Sequence, residues 1–128
     1  MKNVFAYGDQ KEFRKTVTDS DIAAFNGEVV HPVCSTFALA RDVEWTTRQF
    51  AIDMCESGEE GIGTYLEIHH DAPARVGEEI CIRGVVESLN GNKLICTFEV
   101  RAGERLVAHG RTAQKILKKE LLQSILSQ

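Results

Sequence analysis

The sequence predicts an α+β fold in which one long helix lies across a curved antiparallel sheet. A single long helical pattern covers residues 36–57, the hydrophobic period switches to two from Gly61 onward, and a hairpin turn signal, Asn90-Gly91, falls between two alternating runs. A chain of 128 residues holds one core of ordinary size, so residues 1–128 are expected to form a single domain. A helix followed by a meander buries its apolar side on that sheet, because neither element has another partner.

In chain order, Glu12 to Val17 reads as a strand. Thr18-Asp19-Ser20-Asp21 offers several caps ahead of Ile22, Ala23, Ala24 and Phe25, which predicts a short helix over 19–26, stopped by Asn26-Gly27. Val29 to Val33 is extended, and Ser35 and Thr36 then open the central helix, which ends before Ser57-Gly58. The strands fall within 62–117 as Thr64–His70, Glu79–Leu89, Lys93–Arg101 and Arg105–Leu117, with Ala102-Gly103-Glu104 between the last two. Leu94, Cys96, Phe98 and Val100 alternate with Ile95, Thr97, Glu99 and Arg101, the pattern of a sheet with one buried face. Leu121, Leu122, Ile125 and Leu126 stand at helical spacing in 118–127, a terminal helix expected to pack on the sheet or a partner.

Composition narrows the function classes. With 43% hydrophobic and 27% charged residues the chain is that of a soluble globular protein. Its 19 acidic against 15 basic residues leave a net charge of -4 and no electrostatic basis for binding nucleic acid. No window approaches the apolar length of a membrane span, and no apolar leader follows Met1-Lys2, so a cytoplasmic protein is expected. Cys34, Cys55, Cys81 and Cys96 form no C-x-x-C pair, which predicts free thiols and neither a metal knuckle nor a redox motif.

Two sets of residues carry chemistry. On a helical wheel Ala40, Glu44, Thr47, Ala51, Met54 and Cys55 share one face, with Phe37 and Val43 at its edges and Arg41, Asp42, Gln49, Asp53 and Glu56 opposite. Glu44 is thus expected as an acid inside the buried stripe, and three readings are open: an ion pair with an arginine such as Arg48, a helix rotated so that Glu44 lies at the rim, or a general base or nucleophile tuned by partial burial. Trp45 falls on the flank. His69 and His70 are adjacent in a strand and point to opposite faces, so one of them can share a site with Glu44. Thr36, eight residues before Glu44, is separated from it by a rise of about 12 Å and shares the capping position with Ser35.

The stretch Val33-Cys34-Ser35-Thr36, then Val43-Glu44-Trp45, Gly61-Ile62-Gly63-Thr64 and His70-Asp71-Ala72 up to Val76-Gly77 resembles the hot-dog-fold thioesterases of the fluoroacetyl-CoA thioesterase type. The resemblance covers roughly residues 30–80 and implies a hot-dog fold, with Thr36, Glu44 and His70 as the catalytic trio and Gly63 and Phe37 as substrate-binding positions. It gives no role to His69. It implies hydrolysis of a short-chain acyl-CoA without metal or redox cofactor, in a homodimer or a dimer of dimers with the site at the seam. Where that family carries a His-x-Arg feature in the last strand, this chain has Gly110-Arg111-Thr112-Ala113-Gln114, so no fluoroacyl selectivity follows. Two further readings share the fold. The segment Thr16 to Phe25 looks like the entry to the enoyl-CoA hydratases, though the acid pairing expected after His31-Pro32 is missing, and a non-catalytic acyl-CoA binding module would need Glu44 only as a paired structural acid.

Overall fold

The structure is a computed structural model that describes residues 1–25 and 27–128. Its elements are β1 (Gln10–Thr16), a single 3-10 turn (Asp19–Asp21), β2 (Ile22–Phe25), β3 (Glu28–Cys34), α1 (Thr36–Met54), β4 (Glu59–His70), β5 (Glu79–Asn90), β6 (Lys93–Ala102), β7 (Arg105–Lys118) and α2 (Lys119–Leu126). Five strands form one antiparallel sheet in the order β1-β5-β6-β7-β4, and β2 pairs with β3 in a small separate ribbon.

The meander follows from its turns. Asn90 pairs with Lys93, and Gly91 between them takes φ +62°, the left-handed conformation a two-residue hairpin turn requires. β6 buries Leu94, Cys96, Phe98 and Val100 and exposes or half-exposes the residues between them. These side chains meet Leu39, Val43, Phe50, Ala51 and Met54 of α1 in two apolar clusters, one toward each end of the helix. Close approach is possible because Gly84 lies under the helix, where a Cβ would stand 3.2 Å from Thr47 Cγ2 and 3.5 Å from Phe50.

Three expectations need correction. The segment predicted as a helix over 19–26 is one 3-10 turn followed by β2; its expected stop at Asn26 lies outside the described residues. The Asp21 carboxylate accepts from the Thr18 N–H at 2.9 Å and the Asp21 carbonyl accepts from the Ser35 N–H at 2.8 Å, so the turn is consumed in anchoring the start of α1. Pairing with β3 then overrides the helix preference of Ala23 and Ala24. The central helix stops at Met54 rather than 57, because Cys55 is extended and Gly58, at φ +86°, turns the chain into β4.

The third correction concerns the face of α1. The buried residues are Leu39, Val43, Thr46, Phe50 and Met54 with their neighbours, so the core stripe is rotated from the one the wheel predicts. Glu44 lies exposed on the rim, and Asp42, expected on the solvent side, is buried. The cause is β1, whose Lys15 reaches over that flank and gives Asp42 an ion-pair partner.

All four cysteines are free. Leu122 of α2 is buried, while Leu121, Ile125 and Leu126 remain exposed. No helix is long and apolar enough to cross a membrane.

Candidate active site

β4 leaves the end of α1 and runs back along it, which sets two polar groupings at different heights on the helix. At the helix start, the Thr36 hydroxyl lies 3.0 Å from Nδ1 of His70. Ser35 supplies the cap, accepting from the Ala38 N–H at 3.0 Å, so the Thr36 hydroxyl is released from capping. Phe37 beside it is 79% exposed, well outside the core.

The second grouping surrounds Glu44. Its carboxylate borders a cleft of about 250 Å³ between α1 and the β4/β7 edge, lined also by Trp45, Arg48, Gly63, Tyr65 and Gln114. Gly63 faces Glu44 directly, since a Cβ there would lie 4.0 Å from Glu44 Oε2. A β-bulge at Thr64, between Gly63 and Tyr65, bends β4 at this point. The expected partner Arg48 instead donates to the Gly61 carbonyl at 3.0 Å, and among the described residues no ion pair forms on Glu44. The structure thus joins Thr36 to His70 and Glu44 to Gly63, but leaves the two pairs about 12 Å apart along the helix.

A partly buried ion network lies between them on the other flank of α1, its aspartates buried and its Arg41 half exposed. Lys15 Nζ donates to Asp21 at 2.8 Å and to Asp42 at 2.9 Å, and Arg41 donates to Asp21 at 3.0 Å and to Asp42 at 3.2 Å. Burial opposes ionisation of Asp21, yet the bonds from Lys15, the Thr18 N–H and Arg41 outweigh it and hold the carboxyl well below the ordinary carboxylate range. Two cations face two anions, so the network is neutral and fastens α1 to β1 and the preceding turn.

His69 points to the opposite sheet face, as alternation requires. It stacks on the directly paired His109 with ring centroids 4.8 Å apart, its Nε2 3.3 Å from Glu67, while His109 Nδ1 lies 2.6 Å from Asp71. The larger depressions, about 560 and 660 Å³, also open on this outer face, where charges such as Arg111 with Glu87 and Arg83 with Glu12 neutralise one another. Burial pushes the Cys34 thiol up to about 11 and the Cys96 thiol up to about 12, which makes both poor nucleophiles. Among the described residues no group of three or more His, Cys, Asp or Glu side chains is arranged to hold a metal ion.

Sequence reasoning missed Thr112 and Gln114 as cleft residues. The signal was present, because alternation along Arg105–Leu117 places both on the inward face beside apolar positions.

A family model for fluoroacetyl-CoA-specific thioesterases, FlK, matches residues 17–120. A hypothetical protein of Thermus thermophilus described as a thioesterase superfamily member is 29% identical, with a TM-score of 0.92 over 98% of this chain and 93% of that one. A hot-dog-like protein from Thermanaerovibrio acidaminovorans is 20% identical, with a TM-score of 0.88 over 95% and 90%. The fluoroacetyl-CoA thioesterase FlK is 16% identical, with a TM-score of 0.88 over 98% and 97%. No curated protein sequence matches the chain. The fold is the hot-dog fold, of class α+β.

Proposed function

The chain belongs to the fluoroacetyl-CoA-specific thioesterase family, and from that premise we propose that it hydrolyses a short-chain acyl-CoA to the free acid and CoA. One observation carries this reading. Glu44 is an exposed carboxylate without an ion-pair partner among the described residues, set at the edge of a cleft and facing the bare backbone of Gly63. A merely structural acid on this helix has the surroundings of Asp42 instead.

The residues divide the work as follows. Glu44 either takes a proton from water, whose oxygen adds to the thioester carbonyl carbon, or attacks that carbon itself to give a mixed anhydride that water then opens. In both routes the C–S bond breaks and the departing thiolate takes up a proton. The Gly63 N–H is the candidate donor to the carbonyl oxygen as it gains charge, and Thr36 with His70 forms a second polar pair that positions the thioester or passes the proton. Phe37 is an exposed apolar contact for substrate.

The separation of the two pairs favours a site completed by a second copy of the chain. β4 is an edge strand of 12 residues, and its Tyr65 and the neighbouring Trp45 of α1 are 54% and 49% exposed, the surface a homodimer would cover. Sedimentation is expected to give a dimer or a dimer of dimers; a monomer that turns over acyl-CoA would remove the shared site.

Activity is tested by CoA release from a series of acyl-CoAs, followed with a thiol reagent. Release is expected from short chains. Loss of enoyl absorbance without release would make the protein a hydratase, and binding without turnover a carrier module. Mass spectrometry of a quenched single turnover separates the two routes, since only the anhydride route leaves the acyl mass on the peptide containing Glu44.

A further inference from the structure

The cleft beside Glu44 is lined on its inner side by three neutral hydrogen-bonding side chains. Thr47 of α1 and Thr112 and Gln114 of β7 line it and are 0%, 2% and 5% exposed. On the inward face of β7, Thr112 and Gln114 share a row with Ala108 and Ile116, which sit in the apolar clusters. Polar groups in such a row cost free energy unless they are bonded.

Their bonding is incomplete. Thr47 donates back to the Val43 carbonyl at 3.3 Å, as threonine in a helix does. The Gln114 amide nitrogen donates one long bond, 3.5 Å, to Thr47 Oγ1. Among the described residues Thr112 Oγ1 is the one buried side-chain nitrogen or oxygen atom of a non-exposed residue with no hydrogen-bond partner. A buried hydroxyl left unpaired carries its full desolvation cost, and valine would fill the same volume without it. Stability alone therefore gives no reason for threonine at 112.

We propose that Thr112, with Gln114 beside it, recognises a hydroxyl group on a short acyl chain, so that the substrate class is hydroxyacyl-CoA rather than alkanoyl-CoA. This deepens the thioesterase reading of the same cleft and rests on it. A hydroxyl both donates and accepts; the Thr112 hydroxyl can meet either need and the Gln114 amide offers an oxygen as acceptor and a nitrogen as donor. An alkyl chain would leave Thr112 Oγ1 unpaired, as it is without substrate. A carboxylated chain would need a cation; Arg41 is neutralised by Asp21 and Asp42, whereas Arg48 gives one N–H to the Gly61 carbonyl and keeps its charge, so a carboxylated chain is the competing reading and malonyl-CoA its probe. The volume of about 250 Å³ suits a short chain.

The test compares hydroxyacetyl-CoA with propionyl-CoA, which exchange a hydroxyl for a methyl at nearly constant size, and runs malonyl-CoA beside them as the carboxylated arm. Each is measured as the thioester, for kcat/KM, and as the hydrolysis-resistant amide-linked analogue, for Kd by calorimetry. The parent protein is expected to favour the hydroxyacetyl group by about tenfold or more in both. Thr112→Val is expected to shrink that ratio by about tenfold while melting at or above the parent temperature, and Thr112→Ser to restore it. A ratio unchanged in Thr112→Val overturns the proposal, as does a parent preference for propionyl-CoA or malonyl-CoA. If neither thioester is hydrolysed, the analogues still decide. A Thr112-dependent preference in Kd supports hydroxyl recognition while the hydrolase reading falls, and equal affinities overturn hydroxyl recognition itself.

Discussion

Asp42 and Glu44 stand two residues apart on α1 and live in opposite surroundings. Asp42 is 7% exposed and meets Lys15 and Arg41, whereas Glu44 is exposed, faces Gly63 and forms no ion pair among the described residues. A 200° turn of the helix separates a charge used to hold elements together from a charge left available to a ligand. Burial alone does not single out a functional acid here; the buried one is structural, and the functional candidate is the one the fold leaves unpaired beside a cavity.

The comparison breaks first on the structural side. Asp21→Ala removes the anion shared by Lys15, Arg41 and the Thr18 N–H, and is expected to destabilise the fold by about 3–5 kcal/mol in urea titration. The same carboxyl makes stability depend on pH. Its folded pKa is depressed below the ordinary value of 3.8, so its contribution is complete above that pH and is lost as pH falls below it. Asp21→Ala should flatten that acid limb. A variant as stable as the parent would mean the network is incidental and Asp42 no better anchored than Glu44.

On the other side, Glu44→Gln is expected to lower kcat at least about 100-fold while leaving the melting temperature unchanged or raised. Destabilisation comparable to that of Asp21→Ala would make Glu44 a structural acid after all.

The two acids also show where sequence reasoning stops. The meander was legible because alternation and the Asn90-Gly91 turn are local signals. The rotation of α1 stood only as an alternative, since counting Ala40, Ala51 and Cys55 as one face ignores that Lys15 arrives from β1 to cover the flank carrying Asp42. The strand at Ile22–Phe25 was misread for a different reason: Asn26-Gly27 reads as a helix stop, although it is the same dipeptide as Asn90-Gly91, and Phe25 pairs with Glu28 as in a hairpin. Thr36, Glu44, His70 and Gly63 came from resemblance to a family. Alternation alone sent one histidine to the helix side, and the 3.0 Å contact of Thr36 with His70 depends on where β4 runs.

The histidine pair sharpens the comparison further. His70→Ala removes the partner of Thr36 and is expected to lower kcat/KM by about tenfold or more. His69→Ala touches only the stack with His109 and the contact with Glu67 on the outer face, and should change the rate by less than about twofold. The reverse ranking would move the chemistry to the outer face and strip the Glu44 cleft of its meaning.

The smallest effect expected comes from two glycines of β4. At Gly61 a Cβ would stand 3.0 Å from the Ala51 Cβ, so alanine pushes α1 off the sheet, and about 1–2 kcal/mol of stability should be lost with modest kinetic change. At Gly63 a Cβ would stand 4.0 Å from Glu44 Oε2, an ordinary contact, so the fold should keep its stability. The new methyl group projects into the cleft instead, and removing room for about one methylene of substrate should raise KM by about fourfold, equivalent to ~0.8 kcal/mol. Steady-state kinetics beside thermal melts of the two variants checks this. If Gly63→Ala loses stability while KM holds, the space before Glu44 is packing volume, and the contrast between the two acids on α1 is one of accessibility without function.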